Sequence, residues 1–599
     1  MKKTIYNKIK CVAVASMGIL ALSSCEDFLT ITPSDKTVLE EYWKSKDDVD
    51  QMVSGAYKYM EAGGMIERFI VWGEFRSDEV EKSKTITNNS LDNIAAVNML
   101  PGNGYNSWAD FYKVINTCNL VLEHSPEVMQ IDPNFTQGDY DVVRAQMLAL
   151  RSLCYFYLVR TFRDVPYTET AYENTDQILT GPQYAPAVVL QHCIDDLKEA
   201  EGKIYRYGTF GTGDWRNYGL FNRDAVDALL ADIYLWRGSM TKNPADYQEC
   251  VNYANKVIQS RDNYYNQNLS SGSGMMESSQ DNPYHLIDAE NVMLQIFKNG
   301  NSRESIFELQ FAGTSSYSNE QLAVNYFGEK SGSSVGRLTG SQIMGSIASG
   351  ANGISDYSMF FTTLDYRFWN SCYNVNNADE TNFDVRKMVS AASSSGSGTI
   401  TPTPEAKAES RSFGYSSTVG VNWIVYRFTD VLLMKAEALV QLADENDENA
   451  LRQAYNIVKA VNDRSLYHGT TLATDSLKFA DYSSKTNMEK LCLAERGREL
   501  CFEGKRWYDM VRYCYRHMEG VDINKMLYEI DPNGKSYPGL YADFVNLMAR
   551  KYVNGGDAVK YKMQNEAYLY YPVQQREINA NPELHQIPVY EENKSTDRQ

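Results

Sequence analysis

Basic residues are outnumbered in this chain of 599: 58 lysines and arginines stand against 77 aspartates and glutamates, a formal net charge of −19. That sign repels phosphate backbones and excludes nucleic acid as an expected partner. Histidine is scarce. The six present (His124, His192, His285, His468, His517, His585) include no i, i+4 pair and no H-E-x-x-H, so no metal is assigned. There is no Walker loop and no G-x-G-x-x-G behind a strand pattern, and no cofactor is expected. After residue 24 no stretch offers roughly 18 consecutive apolar residues, so no membrane-spanning helix is expected. The cysteines beyond Cys25 are scattered, with no C-x-x-C. They read as buried thiols, with one or two bridges left open. Hydrophobic residues at 43% and charged residues at 23% exclude wholesale disorder, and the length allows two to four packing units.

What is present begins at the N-terminus. Met1 to Lys10 is basic, Cys11 to Leu22 is largely apolar, and Leu22-Ser23-Ser24-Cys25 follows. A charged segment, an apolar run of about a dozen residues and a small-residue cleavage site make residues 1–24 a secretory signal. Its loss removes four lysines and no acid, leaving −23. The ending resembles a bacterial lipobox, in which the cysteine becomes the first mature residue and carries lipid. Cys25 is therefore the expected lipidation site, with an ordinary signal peptide as the alternative. Glu26 and Asp27 resemble a signal for export to the outer face of the outer membrane, or are simply solvated acids.

Along the rest of the chain, apolar residues at helical spacing predict helices over 38–62, around 108–122, and over 138–162, 185–203, 222–238 and 244–260. Further helices are predicted over 427–443 and 449–464, and one long helix over 486–516. The expected fold is mostly α. Small residues beside large ones, such as Ala228 and Ala231 beside Tyr234 and Trp236, suggest degenerate tetratricopeptide-like helix hairpins. Residues 264–425 differ: Gly, Ser, Asn and Tyr dominate, 305–311 is a strand candidate, and 391–417 reads as an exposed low-complexity loop. The expected division is a helical region over 25–263, a loop-rich insertion carrying the ligand face over 264–425, and a second helical region over 426–599.

Two apparent motifs carry little. Gly332-Ser333-Ser334-Val335-Gly336 fits G-x-S-x-G but lacks the flanking strand and helix. Residues 444–448 look like calcium-ligand spacing without the mid-loop glycine, and read as a link between helices.

Seven separated segments together resemble the SusD/RagB family of outer-membrane nutrient-binding lipoproteins. They are the mature start Cys25-Glu26-Asp27-Phe28-Leu29; the 40–57 helix; Arg151 to Leu158 leading to Asp164-Val165-Pro166-Tyr167; 225–235; Tyr426-Arg427-Phe428-Thr429-Asp430; Glu495-Arg496 through Phe502-Glu503-Gly504-Lys505-Arg506-Trp507 to Arg512; and Leu569 to Gln586. The resemblance covers nearly the whole chain. It departs at Val573-Gln574, at Ile587-Pro588, and around Arg464.

Glu495, Arg496, Glu499, Glu503, Arg506, Asp509 and Arg512 recur three or four apart among Leu500, Phe502 and Trp507, so they are expected to form a partly buried charge network rather than a catalytic centre. The resemblance implies no enzyme. It implies a shallow glycan site in which aromatic rings stack on sugars and polar groups read hydroxyls. Three groups are candidates: Trp72, Arg76 and Asp78; Tyr317, Asn325, Tyr326 and Phe327; and Tyr366, Arg367, Trp369 and Tyr373. Trp108, Trp236 and Trp507 read as core. The implied partners are a SusC-like TonB-dependent transporter, a glycan, and the outer membrane through the lipid anchor. The alternatives are the same architecture binding peptides or another nutrient, or a surface glycoside hydrolase. Whether calcium shapes the site stays open.

Overall fold

Ser45 opens helix α1 (Lys46–Met60) with a capping box: its hydroxyl accepts the Asp48 N–H while the Asp48 carboxylate accepts the Ser45 N–H. Val49, Val53, Ala56, Tyr57 and Met60 then bury one face. Helix α2 (Gly63–Ile70) runs directly into a π-helical turn, Val71–Phe75. Helix α3 (Ala109–Ile131) precedes α4 (Gln137–Phe162), which starts on a second capping box, Thr136 with Asp139. The computed structural model describes residues 42–173, 180–269, 282–314, 317–328, 335–341, 343–344, 361, 364–373, 384–393, 411–414, 420–445, 447–467, 477–552 and 555–591. Cys25 and the Ser333-Ser334 motif lie outside them.

Helix α4 is the central element. Every residue from Ala145 to Phe162 is buried. By length and composition it could cross a membrane, yet the protein itself supplies its apolar surroundings, with α3 on one side and α5 (Pro186–Glu201) on another. The chain continues as α6 (Arg223–Thr241) and α7 (Pro244–Leu269), consecutive helices that pack on each other. Asn222 caps α6 by accepting the Ala225 N–H. Helices α8 (Phe428–Leu442), α9 (Glu448–Ser465), α10 (Lys485–Leu500) and α11 (Arg506–His517) complete the scaffold, and α7 packs on α8 to join the two halves. Asp447 caps α9, so the acidic 444–448 stretch does link two helices. The chain is mostly helical, as its periodicity predicts.

Strands are short and form two-stranded antiparallel ribbons among the described residues. Strand β1 (Val80–Lys82) pairs with β3 (Leu338–Gly340), and β2 (Ser305–Leu309) pairs with β4 (Trp423–Arg427). Trp423 faces Leu309 and Ile424 faces Glu308, then the register shifts before Tyr426 faces Phe307. Both β2 and β4 are buried throughout, and β4 delivers Arg427 straight to the start of α8. The 391–417 stretch is not uniformly a loop: Ser390–Ser393 pairs with Arg411–Gly414.

The predicted 486–516 helix is broken. Between α10 and α11 the backbone turns through positive φ at Phe502 (64°) and Gly504 (71°). The break is tight. A Cβ on Gly73, in the π-turn, would fall 1.8 Å from the Gly504 carbonyl oxygen. A Cβ on Gly504 would meet the Phe69 carbonyl oxygen at 2.7 Å and the Trp423 ring at 2.9 Å. The turn after α10 is thus seated on the turn after α2, and glycine on both sides permits the contact. The cysteines Cys118, Cys154, Cys193, Cys250, Cys372, Cys492, Cys501 and Cys514 are all buried and unbridged.

Candidate functional site

Most aromatic and polar groups singled out from the sequence turn out to be scaffold. Trp72 is wholly buried in the π-turn, where its indole N–H donates to the Tyr105 carbonyl at 2.8 Å and its ring stacks on Phe111. Arg76 is buried and donates to the carbonyls of Tyr568 and Leu569 while lying 4.1 Å from the Trp507 ring. Asp78 is buried against Arg506 at 2.9 Å. Tyr326 and Phe327 are fully buried, with the Tyr326 hydroxyl donating to Glu67 and Phe327 packed near Phe502. Tyr366 and Trp369 are buried beside Tyr467 and Phe368. Arg367 is buried between Asp365 (2.8 Å), Glu495 (2.7 Å) and Glu499 (3.1 Å). These eight are buried, contrary to the exposed face expected of them, and most are held by partners far away in the chain. The side chain of Tyr373 lies outside the described residues. Asn325 is half-buried and donates to the Gln321 side chain. Among the candidates whose side chains are described, Tyr317 alone stands out into solvent, 51% exposed.

The motif acids and arginines form the buried network expected of them. Glu499 is shared by Arg464 (2.5 Å), Arg427 (2.7 Å) and Arg367. Glu503 holds Arg427 and Lys387, and Asp509 holds Arg496 and Arg512. Burial alone would push the Glu499 carboxyl up, but Arg464, Arg427 and Arg367 together hold it well below the ordinary glutamate value. A small recess over this network is lined by Phe297, Tyr366, Arg367, Lys387, Arg464 and Glu499. Its cations are already paired with carboxylates, so it belongs to the scaffold. Trp108, Trp236 and Trp507 are core, as expected.

A second acid pair behaves oppositely. Glu74 and Glu79 are buried together and both accept the Phe502 N–H, at 3.1 and 3.2 Å. Burial pushes both carboxyls up, and the neighbouring Glu74 pushes Glu79 further. Their raised values favour the protonated form in the folded state. This pair therefore removes stability as pH rises from about 4.5 through its folded range, whereas the depressed Glu499 loses its stabilisation as pH falls. Glu79→Gln keeps the shape and removes that titration. Urea unfolding at pH 5 and pH 8 is expected to show a smaller stability difference for the variant than for wild type. An equal difference means the pair is not proton-linked.

One solvent-facing strip gathers rings and polar groups. Trp215, 49% exposed, stands just ahead of the short helix Arg216–Gly219. A Cβ on Gly219 would lie 2.6 Å from the Gln310 side chain and 2.8 Å from the Trp215 ring, so the missing side chain lets indole and amide sit together. The Gln310 and Asn301 carboxamides exchange two hydrogen bonds, each 2.9 Å. The Glu61 carboxyl lies near the Gln310 backbone, and Glu61 pairs with Lys58 at 2.9 Å. The Lys58 ammonium lies 4.1 Å from the centre of the Tyr317 ring. Gln321, the Asn325 partner, packs against Gly63 just beyond Glu61. The strip thus runs from ring to amide pair to ion pair to ring. Sequence reasoning reached Tyr317 and Asn325 but missed Trp215, Asn301 and Gln310. Trp215 closes a Gly-Thr-Phe-Gly-Thr-Gly-Asp-Trp stretch, and the same search for rings in glycine-rich loops, applied before residue 264, finds it. Among the described residues, no cluster of three or more His, Cys, Asp or Glu is placed to hold a metal ion.

Comparison with known proteins bears on the whole chain. Residues 265–590 match the model of the SusD family, and residues 27–235 match a family model described as starch-binding associating with outer membrane. A SusD-like protein of Formosa agariphila is 25% identical over 538 residues, covering 86% of this chain and 92% of that one. A SusD superfamily structure from Bacteroides thetaiotaomicron aligns with a TM-score of 0.61 at 20% identity, over 92% of this chain and 99% of that chain. NanU of B. fragilis aligns with a TM-score of 0.60 at 18% identity, over 94% and 100%.

Proposed function

The chain belongs to the SusD family, and on that premise we propose that it is a lipid-anchored protein of the outer membrane surface that captures oligo- or polysaccharide without altering it. It hands the captured chain to a SusC-like TonB-dependent transporter. The observation that carries this reading is the match of residues 27–235 to the family described as starch-binding associating with outer membrane. The exposed rings of Trp215 and Tyr317 fit it physically, since flat rigid rings offer apolar area to sugar faces at little entropic cost. The buried and charge-paired state of Glu495 and Glu503 fits a structural role for the strongest motif.

Affinity electrophoresis of the mature chain against a panel of polysaccharides tests the reading. Retardation by at least one is expected, with no new reducing ends after incubation. Binding of peptides with no glycan retained points to the peptide version of the architecture. Release of reducing ends overturns the non-catalytic reading. The anchor is tested separately. Cys25→Ser is expected to move the protein out of the membrane fraction, and unchanged membrane association removes Cys25 as the attachment point.

A further inference from the structure

The strip from Trp215 to Tyr317 has a chemical character of its own. Resting on the glycan-capture reading above, we infer that this strip is a saccharide-contact site and that its ligand is an uncharged glycan, read by Trp215, Asn301 and Tyr317.

The charges on the strip are paired within it. Lys58 is engaged by Glu61 at 2.9 Å and lies over the Tyr317 ring. Arg216, next to Trp215, is held by both oxygens of Asp214 at 3.0 and 2.7 Å and covers the Phe210 ring at 4.4 Å. A ligand carboxylate or sulfate would have to break one of these pairs to gain a cation. It would also approach a chain whose formal charge is −23 without residues 1–24, a field that opposes polyanions.

The groups between the rings match hydroxyls instead. The Gln310 amide is saturated: its two N–H groups go to Asn301 and to the Glu308 carbonyl, and its oxygen accepts from Asn301 and Asn422. Asn301 is different. Its side chain gives one N–H to Gln310 and accepts one from it, which leaves one N–H and one carbonyl lone pair on a half-exposed amide. One donor and one acceptor side by side are what a hydroxyl needs, since it donates and accepts at the same atom. Asn301 itself is fixed, because its backbone N–H donates to buried Glu308 at 2.9 Å and the Gln310 clasp orients its amide. The arrangement presents a rigid polar reader between two stacking surfaces, with little ordering left for binding to impose.

The test uses the mature chain and its Trp215→Ala, Tyr317→Ala and Asn301→Ala variants. Amylopectin, galactomannan and xyloglucan serve as neutral probes, with polygalacturonate, alginate and heparin as charged probes. Circular dichroism checks each variant for folding, and both rings are exposed enough for their removal to leave the core intact. The expected result is binding to at least one neutral polysaccharide, with a Kd that changes less than about twofold between 50 and 500 mM NaCl. Trp215→Ala is expected to weaken that binding about tenfold. Binding of a charged probe as tight as that of any neutral one, with steep loss in salt, overturns the uncharged-ligand inference and leaves glycan capture standing. Neutral binding that Trp215→Ala and Tyr317→Ala both leave unchanged overturns the assignment to this strip, again leaving capture standing. Failure of every polysaccharide to bind overturns the capture reading and this inference with it.

Discussion

Gly73→Ala is expected to abolish the native fold or to cost more than about 3 kcal/mol. The added methyl would fall 1.8 Å from the carbonyl oxygen of Gly504. An ordinary overpacked core costs roughly 1–3 kcal/mol because side chains shift to make room. Here the obstacle is backbone, and that backbone is itself fixed by positive φ at Phe502 and Gly504 and by the Phe502 N–H held between Glu74 and Glu79. Gly55→Ala is the matched control. It lies inside α1 with nothing within 4 Å of the new methyl, and is expected to be neutral or to stabilise by about 0.5–1 kcal/mol through helix propensity. Urea unfolding of the two variants measures the contrast. Equal midpoints would show that the two turns do not need their close approach.

Glu499→Ala is expected to destabilise by about 3–5 kcal/mol, the usual result of removing one partner from a buried ion network. Three guanidinium groups, Arg464, Arg427 and Arg367, lose a shared carboxylate, and none can reach bulk water without opening the α9–α10 region. The exposed pair of Arg452 with Glu448, four apart on α9, sets the comparison. Glu448→Ala there is expected to cost no more than about 0.5 kcal/mol, because solvent screens the pair. The depressed Glu499 carboxyl adds a pH signature: the gap between wild type and Glu499→Ala should narrow as pH falls below about 4.5 and the carboxylate is protonated. A loss under about 1 kcal/mol at neutral pH would mean that desolvation cancels the attraction in this network.

The helical scaffold was legible because burial leaves a period. Val49, Val53 and Met60 announce α1, and the run from Ala145 to Phe162 announces α4, each with a capping residue ahead of it. The break at residues 501–505 was hidden because the charges on either side keep helical spacing, while the decisive event is a positive φ at Phe502. The buried network was readable from its mixture of acids, arginines and large apolar residues. The exposure of the candidate residues mostly was not. An aromatic in irregular sequence was read as an exposed aromatic, but Trp72 sits in a π-turn sealed by Phe111 and Tyr105. Arg367 looked available because its acids Glu495 and Glu499 lie more than a hundred residues further on. Trp215 was overlooked because its loop lies between regular helices, where core is the ordinary expectation. Local sequence carries periodicity, whereas exposure depends on what distant segments bring to cover a residue.

The anchoring of Arg76 has a consequence for how the molecule comes into being. Its guanidinium donates to the carbonyls of Tyr568 and Leu569, nearly at the other end of the chain. Arg163 similarly needs Glu566, and Lys551 reaches back to the carbonyls of Phe75 and Val80. The opening helices therefore complete these contacts only once the final segment is present. Contacts of such large sequence separation slow the last stage of folding. A nascent chain that stops short of residue 560 would hold Arg76 without the Tyr568 and Leu569 carbonyls and Arg163 without Glu566.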